Sequence, residues 1–595
     1  MATYRSHVLV CMGSNCVLNQ SQSVADAFFR ELKRADLDDE IRVVETGCFG
    51  ICNYGPTVVI YPEGVFYCNV TDQDVREIVE EHLLKGRLVG RLLYDGPETP
   101  KAMQTVYQAN YFQKQQRIVL RNCGIIDPES IDEYISVDGY YALSQCLTHM
   151  SPEEVINEIK ESGLRGRGGA AFPTGLKWEF TRKAKGEPKY VVCNADEGEP
   201  GTFKDRLILE GDPHSIIEAM TIAGYAVGSN KGYMYIRGEY ALSIERMRLA
   251  IDQARERRLL GENILGSGFS FDIEIREGAG SYVCGEETAL IASIEGKRGE
   301  PTYKPPYPTD AGLWGKPTLI NNVETLANIP PIITNGGQWF KRIGTEGNSG
   351  TKVFTITGNV VNKGLIEVPM GITLREIIYE IGGGIPGGRQ FKMAQTGGTS
   401  GGCIPRDYLD LPMDYDTLAK AGTALGSGAL LIMDDSHCIV DICKCFMQFF
   451  KSESCGKCTP CREGTHHLYN LLDKITKGEG TPKDIDTIIL LAETMTQTAL
   501  CGLGQAAPNP VLTTLHFYRD EYNAHIRDKV CPAGVCPMHN GTETKEAKAA
   551  KGTGVSDSKE ARGEAKGTEA KGTGVSDSPL LKMLPNTVKR SQRFE

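Results

Sequence analysis

The sequence predicts a multidomain α/β protein. Three observations carry that expectation. At 595 residues the chain is too long for one hydrophobic core, and domains of roughly 100–200 residues would make three to five units. Short β-branched runs alternate with amphipathic helical stretches over most of its length. Its 19 cysteines and 67 glycines gather in a few loops, which marks those loops as places where something is bound.

Composition narrows the class further. With 40% hydrophobic and 24% charged residues the chain reads as a soluble globular protein. No run approaches the ~20 consecutive apolar residues of a membrane span. The N-terminus, MATYRSHVLVCMGSNC, lacks the basic region and long apolar run of a signal peptide. A net charge of −11 argues against nucleic acid as a partner. A cytoplasmic location without membrane insertion is therefore expected. In a reducing compartment, clustered cysteines point to metals or iron–sulfur clusters.

The elements follow in order. YRSHVLV (4–10) reads as a strand running into Cys11, followed by a polar helix at 21–34. IRVVET (41–46) is a second strand leading into Gly47-Cys48-Phe49-Gly50-Ile51-Cys52, and TVVIYP (57–62) a third. TDQDVREIVEEHLLKG (71–86) is an amphipathic helix with Thr71 as N-cap and Gly86 as its stop, closing a unit at 1–95. Residues 96–150 form a connector. A helix capped by Ser151 opens a parallel α/β domain at 151–335, with strands at 190–196, 233–238 and 271–278. Residues 350–430 suggest a small β-rich domain, and 431–530 a helical one. A short cysteine segment occupies 531–540. From 541 to 595 the chain is Ala/Lys/Glu/Gly/Ser-rich, with KGTGVSDS at 551–558 and again at 571–578, and is expected to be disordered.

Three sets of cysteines have ligand spacing. SCGKCTPCREG places Cys455, Cys458 and Cys461 in a C-x2-C-x2-C loop that can wrap three corners of a cubane, with Cys501 in LCGLG as the fourth; this is assigned as a [4Fe–4S] site. Cys11 and Cys16, with Cys48 and Cys52, each follow a strand and would converge at one sheet edge. That suits a [2Fe–2S] rhomb, with a disulfide pair or tetrahedral zinc as the competing readings. C-M-G-S-N-C and G-C-F-G-I-C are similar to the thioredoxin-like [2Fe–2S] ferredoxins, in which C-x-G-x-x-C and G-C-x-G-x-C occupy these positions. Cys531 and Cys536, with His525 and Cys438, suit zinc; packing cysteines are the alternative, and Cys443 or Cys445 compete with Cys438. Cys68, Cys123, Cys146, Cys193, Cys284 and Cys403 have no partner at ligand spacing and read as core thiols.

The glycine-rich loops suggest a nucleotide. Residues 163–178 hold five glycines with Arg165, Arg167 and Lys177, a combination that lets backbone N–H groups and cations approach a phosphate. NADEGEPGTFKDR (194–206) sets four acids within ten residues after an apolar strand, suited to ribose hydroxyls or a carboxamide. GAGSYVCGEET (278–288) is not the G-x-G-x-x-G fingerprint, so an ordinary Rossmann assignment fails on the motif.

RGRGGAAFPTGLKW, NADEGEPGTFKDR, GAGSYVCGEETAL, KPPYP, NNVET and SCGKCTPCREG, in that order over about residues 120–530, resemble the NADH-oxidising flavoprotein subunit family of respiratory complex I. NAD-linked hydrogenases and formate dehydrogenases share that subunit family. The resemblance implies a Rossmann-like FMN/NADH domain, a ubiquitin-like β-grasp domain and a helical bundle carrying the [4Fe–4S] cluster. It maps FMN contacts onto Gly166, Arg167, Gly168, Lys177, Asn194, Asp196, Glu197, Tyr282, Gly285, Glu286, Glu287, Asn321, Asn322 and Thr325. NAD(H) contacts map onto Gly169, Phe172, Phe180, Glu199, Lys304 and Tyr307, although Phe172 and Phe180 could also be core aromatics. Hydride chemistry belongs to the flavin, so no catalytic acid or base is expected, and Glu199 and Glu287 are assigned orienting roles.

An added N-terminal [2Fe–2S] domain is similar to that of the NAD-binding subunit of electron-bifurcating hydrogenases. CPAGVC resembles the segment preceding a two-cluster ferredoxin domain there, but no C-x2-C-x2-C-x3-C run follows it here. The expected partners are a small thioredoxin-like [2Fe–2S] subunit and a multi-cluster hydrogenase-type or formate dehydrogenase subunit. A short linker leaves the N-terminal domain free to act as a mobile electron carrier. Two rivals stay open: a non-bifurcating NADH dehydrogenase (diaphorase) subunit, and a scaffold whose clusters are structural and whose flavin fold is vestigial.

Overall fold

The computed structural model describes residues 4–94, 105 and 110–538. The tail at 541–595 and part of the expected connector lie outside the described residues. The N-terminal unit is built on Ser6–Cys11, which pairs parallel with Ile41–Thr46 and antiparallel with Val58–Tyr61. Val58–Tyr61 forms a hairpin with Val65–Tyr67, a three-residue strand too short to leave a sequence signal.

Side chains alternate across a strand, and in Ser6–Cys11 both faces are buried. Val8 and Val10 join Val24, Phe28 and Leu32 of the helix Ser21–Arg34 in a local core. Leu9 and Cys11 join a cluster that continues through the second and third units as far as Ile432. The helix starting at Asp72 is capped by a reciprocal Thr71–Asp74 box and widens into a π-turn over Ile78–Leu83.

The second unit is a four-stranded parallel sheet in the order Asp272–Gly278, Lys231–Arg237, Tyr190–Ala195, Thr318–Asn322. The last strand was not anticipated; it delivers the Asn-Asn pair beside Asn194, with Asn194 and Asn322 in register. Parallel sheets bury both faces, and the covering helix Pro213–Val227 is buried at every residue but Tyr225. All four carboxyl ends share one edge, where open α/β sheets bind ligands.

The third unit is a mixed five-stranded sheet. Thr351–Gly358 lies between antiparallel Gly364–Pro369 and parallel Ala429–Asp434, beyond which come Phe391–Thr396 and Cys403–Pro405. The C-terminal unit is helical, with Ile439–Glu453, Thr459–Thr476, Pro482–Thr498 and Asn509–Phe517 around Phe446, Leu468, Leu472 and Ile488. No described helix is long and apolar enough to cross a membrane.

The N-terminal unit is seated against the other units. Leu365 N–H donates to Gly50 O (2.7 Å), Cys52 N–H to Lys363 O (3.0 Å) and Tyr111 OH to Gly50 O (2.8 Å). Glycine is required on both sides of this seam: a Cβ on Gly364 would stand 1.7 Å from Gly50 O. A mobile-carrier role would require this seam to part. The unit's cysteine loop is itself the contact surface.

Glu367 ties the segment before the second unit to the third. Fully buried, it accepts N–H bonds from Ile118, Val119 and Leu120 at 2.9–3.0 Å. Glu367→Ala would leave three buried donors unsatisfied, at about 1–3 kcal/mol each. The variant is expected to lose at least ~3 kcal/mol and a few degrees of thermal midpoint by scanning calorimetry. An unchanged midpoint would show that this carboxylate is not what holds the segment.

Candidate functional site

Loop 163–178 is closed on itself by Gly166 N–H to Phe172 O and Thr174 N–H to Leu164 O, both 2.9 Å. Arg167 is fully buried, with Nε on Thr351 O (3.1 Å) and Nη2 on Ser349 O (2.7 Å). Arg165 bonds Asp416 (3.0 Å) and Asn348 (3.2 Å). Both guanidiniums thus bond to the third unit, and Arg165 Nε also donates to Ala171 O within the loop (2.9 Å), so a phosphate here would have to share them with these acceptors. The loop's remaining cation is Lys177, which contacts Glu287 and donates to Ile320 O (3.0 Å).

The strand ends bring the other candidates together. Asn194 Nδ2 donates to Gly285 O (2.9 Å), Arg167 N–H to Thr325 Oγ1 (2.8 Å), and Trp178 Nε1 to Asn321 Oδ1 (2.9 Å). A Cβ on Gly168 would stand 3.0 Å from Asn322 Cβ. Lys304 reaches Glu286 (2.9 Å) and Glu287 (3.4 Å). Glu199 accepts from Tyr282 OH and Thr399 OH, both 2.5 Å, and from Ser400 N–H (3.0 Å). Thr399 and Ser400 were not singled out in the sequence, because nothing in GGTSGG distinguishes a binding turn from any other. The Glu197 carboxylate accepts from Asp205 N–H and Arg206 N–H, capping the helix Lys204–Gly211 from across the loop.

Beneath this edge lies a sealed charge system. Lys204 pairs with Asp205 (2.6 Å) and Glu324 (3.1 Å), Lys352 with Glu324 (2.6 Å), and Asn322 Nδ2 donates to Asp205 (2.6 Å). Burial pushes Lys352 down to about 8, while its lysine partners hold Glu324 below the usual carboxylate range. Burial, with Asp205 nearby, lifts Glu197 to about 7. Burial also lifts Asp196 to about 7, and neither of its buried oxygens has a hydrogen-bond partner among the described residues. An orphaned carboxylate at the carboxyl edge, beside Asn194 and Gly285, fits a heterocycle that presents N–H and hydroxyl donors, as FMN does. Phe172 and Phe180 are 43% and 48% exposed, with ring centroids 6.4 Å apart, so neither is a core aromatic. Tyr307 is 42% exposed.

Cys455, Cys458, Cys461 and Cys501 line one gap, walled on the other side by Val283 and Pro301 of the second unit. Burial, reinforced by the other three thiols, pushes Cys461 up to about 11. Cys11, Cys16, Cys48 and Cys52 line a cavity of about 300 Å³. There Cys11 is held toward the thiolate by bonds from Cys16 and Cys48. Its far wall is Phe203, Arg206 and Leu207 of the second unit and Ile356, Thr357, Lys363 and Gly364 of the third. Both thiol sets fit iron–sulfur clusters.

The third set also converges. The ligand atoms of Cys438, His525, Cys531 and Cys536 all lie within 4.8 Å of one another. Cys438–His525, His525–Cys536 and Cys438–Cys536 are 3.3, 3.4 and 3.4 Å apart, near the ~3.8 Å ligand spacing of tetrahedral zinc–thiolate sites. His525 Nδ1 faces Glu521 O at 2.7 Å, which orients Nε2 inward. Cys443 lies instead against Thr514, and Cys445 is exposed. The six cysteines without ligand spacing are all buried.

Known proteins match in the same segments. Residues 159–331 match the Nuo51 FMN-binding domain, 441–525 the NADH-ubiquinone oxidoreductase-F iron–sulfur binding region, 2–83 the thioredoxin-like [2Fe–2S] ferredoxins and 353–404 the SLBB domain. The chain is 58% identical over 424 residues to the NADP-reducing hydrogenase subunit HndC of Solidesulfovibrio fructosivorans, covering 71% of this chain and 86% of that one. It is 47% identical over 415 residues to an F subunit of the NADH-quinone oxidoreductase of Rhizobium meliloti, covering 70% and 99%. The crystal structure of NAD+-reducing [NiFe]-hydrogenase in the H2-reduced state aligns with TM-score 0.63 at 29% identity, over 88% of this chain and 84% of that one.

Asp196 yields a pH test in the flavin-free protein. With its pKa raised from 3.8 to about 7, this carboxyl favours folding fully below pH ~4, and that contribution is lost as pH rises through 7. The stability of Asp196→Asn relative to the parent is therefore expected to rise by up to about 1.4 kcal/mol per pH unit between pH 5.5 and 7, then level off. Denaturant unfolding at several pH values checks this. A flat difference would mean that Asp196 titrates normally.

Proposed function

Because the chain belongs to the family of the NADH-quinone oxidoreductase F subunits and their hydrogenase counterparts, flavoprotein oxidoreductases that bind FMN, we propose that it is the NADH-oxidising, electron-entry subunit of an electron-bifurcating hydrogenase. FMN, when bound, would supply hydride exchange with NADH, and iron–sulfur clusters held by the two cysteine sets would supply one-electron acceptors. The observation that carries the reading is the arrangement of walls: one α/β unit closes both cluster cavities, Val283 and Pro301 on one and Phe203, Arg206 and Leu207 on the other. Two separate exits from one flavin domain would allow an electron pair to be divided.

The remaining assignments follow from the chain's own groups. Asp196, Asn194, Asn322 and the glycines at 166, 168 and 285 would hold the flavin, with Lys177 as the nearby cation. Phe172, Phe180 and Tyr307 would take the nucleotide's rings. Glu199 and Glu287, already fixed by Tyr282, Thr399, Lys177 and Lys304, would orient the nicotinamide and ribose without moving protons. Cys438, His525, Cys531 and Cys536 would hold a structural zinc, supported by their convergence and by Glu521 behind His525. The strand order of the third unit supports reading it as a ubiquitin-like grasp. The relatives' names are those of subunits, which supports a hydrogenase-type iron–sulfur partner. A diaphorase subunit of a formate dehydrogenase is the second reading, and it differs only in the partner.

Anaerobic cofactor analysis followed by EPR after NADH addition tests the core of the reading. About one FMN per chain and NADH-reducible cluster signals are expected, with ferredoxin dependence added if electrons bifurcate; no flavin and NADH-silent clusters would leave a structural subunit. Phe172→Ala is expected to raise the KM for NADH about tenfold with FMN content intact, the scale of one lost base–aromatic stack. Cys531→Ser should lose about one zinc per chain while both cluster signals stay. Zinc absent from the parent protein would remove that assignment.

A further inference from the structure

Helix Lys204–Gly211 has two ends with different company. At its start, Lys204 and Asp205 hold Asn322 and Glu324 beneath the candidate flavin edge. Farther along, it meets the loop between Cys11 and Cys16. Glu210, 1% exposed, accepts Ser14 N–H at 3.1 Å and also takes the Ser14 hydroxyl. Arg206 Nε donates to Ser14 Oγ at 3.1 Å and to Glu210 at 3.0 Å. The guanidinium is held from behind by the Tyr240 ring, 5.4 Å from its centroid, and Tyr240 OH bonds Glu197 at 3.2 Å. The contact is tight: a Cβ on Gly47 would stand 2.5 Å from Gly211 Cα.

We propose that Arg206 and Glu210 form an ionic clamp on Ser14 that sets the reduction potential of the [2Fe–2S] cluster. The inference rests on reading Cys11, Cys16, Cys48 and Cys52 as that cluster's ligands. Arg206 lines the cysteine cavity and Glu210 does not, so the cation stands nearer the cluster and its counter-charge lies behind. One-electron reduction adds one negative charge to a cluster that four thiolates already make anionic, and no bond forms or breaks. A guanidinium at the cavity wall therefore stabilises the reduced form more than the oxidised one, although its side chain is 32% exposed and solvent screens part of the effect. Glu210 opposes this from a greater distance and fixes where the guanidinium points. Arg206 and Glu210 are thus positioning residues acting on the cluster through charge, and they lie on the helix that continues directly from the acidic flavin loop.

Electrostatic tuning predicts opposite signs for two charge-removing changes, which a merely structural pin does not. The test is an anaerobic, dithionite-driven redox titration of the purified full-length holoprotein, following the [2Fe–2S] EPR signal. Arg206→Gln is expected to lower the midpoint by an amount equal to a tenfold change in the reduced-to-oxidised ratio, about 59 mV for a one-electron couple. Glu210→Gln is expected to raise it, and Arg206→Lys, which keeps the charge, to stay near the parent. Midpoints that do not move, or that move the same way in Arg206→Gln and Glu210→Gln, overturn the clamp while leaving the ligand reading intact. A parent protein with no [2Fe–2S] signal overturns both.

Discussion

Lys204, Asp205, Glu324 and Lys352 carry charge where water does not reach, and most of the site geometry depends on their satisfying one another. Removing a single partner from such a system typically costs 3–5 kcal/mol, because it leaves a buried charge uncompensated. The four come from three places: the helix after the acidic loop, the short helix Val323–Ala327 after Asn322, and the first long strand of the third unit. No one of these segments can shift without stranding a charge. Asn322 shares Asp205 with Lys204, so a proposed flavin contact inherits that fixity. Arg167 adds a second tie, since its fully buried guanidinium is satisfied by Thr351 and Ser349 carbonyls of the third unit.

The cluster motifs were legible because metal chemistry constrains spacing along the chain: three thiols at C-x2-C-x2-C must share a loop whatever surrounds them. The strand ends were legible for a similar reason, since an apolar β-branched run followed by glycines and acids marks a carboxyl edge. What sequence could not supply was where each polar side chain finds its partner. Arg165 and Arg167 sit in a phosphate-like loop, yet besides nearby carbonyls they find acceptors more than 180 residues away in the chain. Glu197 sits among cofactor acids, yet two N–H groups on the far side of its own loop claim it. Thr318–Asn322 was missed as a strand because five residues between a proline and a helix carry little periodicity.

The seat of the N-terminal unit was illegible for a different reason. Ser6–Cys11 reads as an apolar strand whether its second face meets another domain or its own, and only the fold decides. The clues were glycines, Gly47 and Gly50, whose need becomes visible only beside Gly211 and Gly364. Such seams exclude any side chain and so fix the approach of one backbone to another. A unit that merely swung on a linker would not need them.

The same logic connects the two cluster sites. Tyr282 bonds Glu199 on the flavin edge, while its backbone N–H donates to Glu453 and its ring meets Phe449, both on the helix that leads into Cys455. Lys457 and Arg298 lace the same junction through Pro301 O and Cys455 O. On the other side, the helix Lys204–Gly211 carries the acidic loop straight to Ser14. Each cluster loop is therefore held by residues contiguous with a cofactor-contact motif. Sites held on regular elements keep their geometry better than sites on free loops. The chain thus holds two cysteine sites against one α/β unit by hydrogen bonds and charge, so the local electrostatics at each is set by side chains of that unit as well as by its own loop.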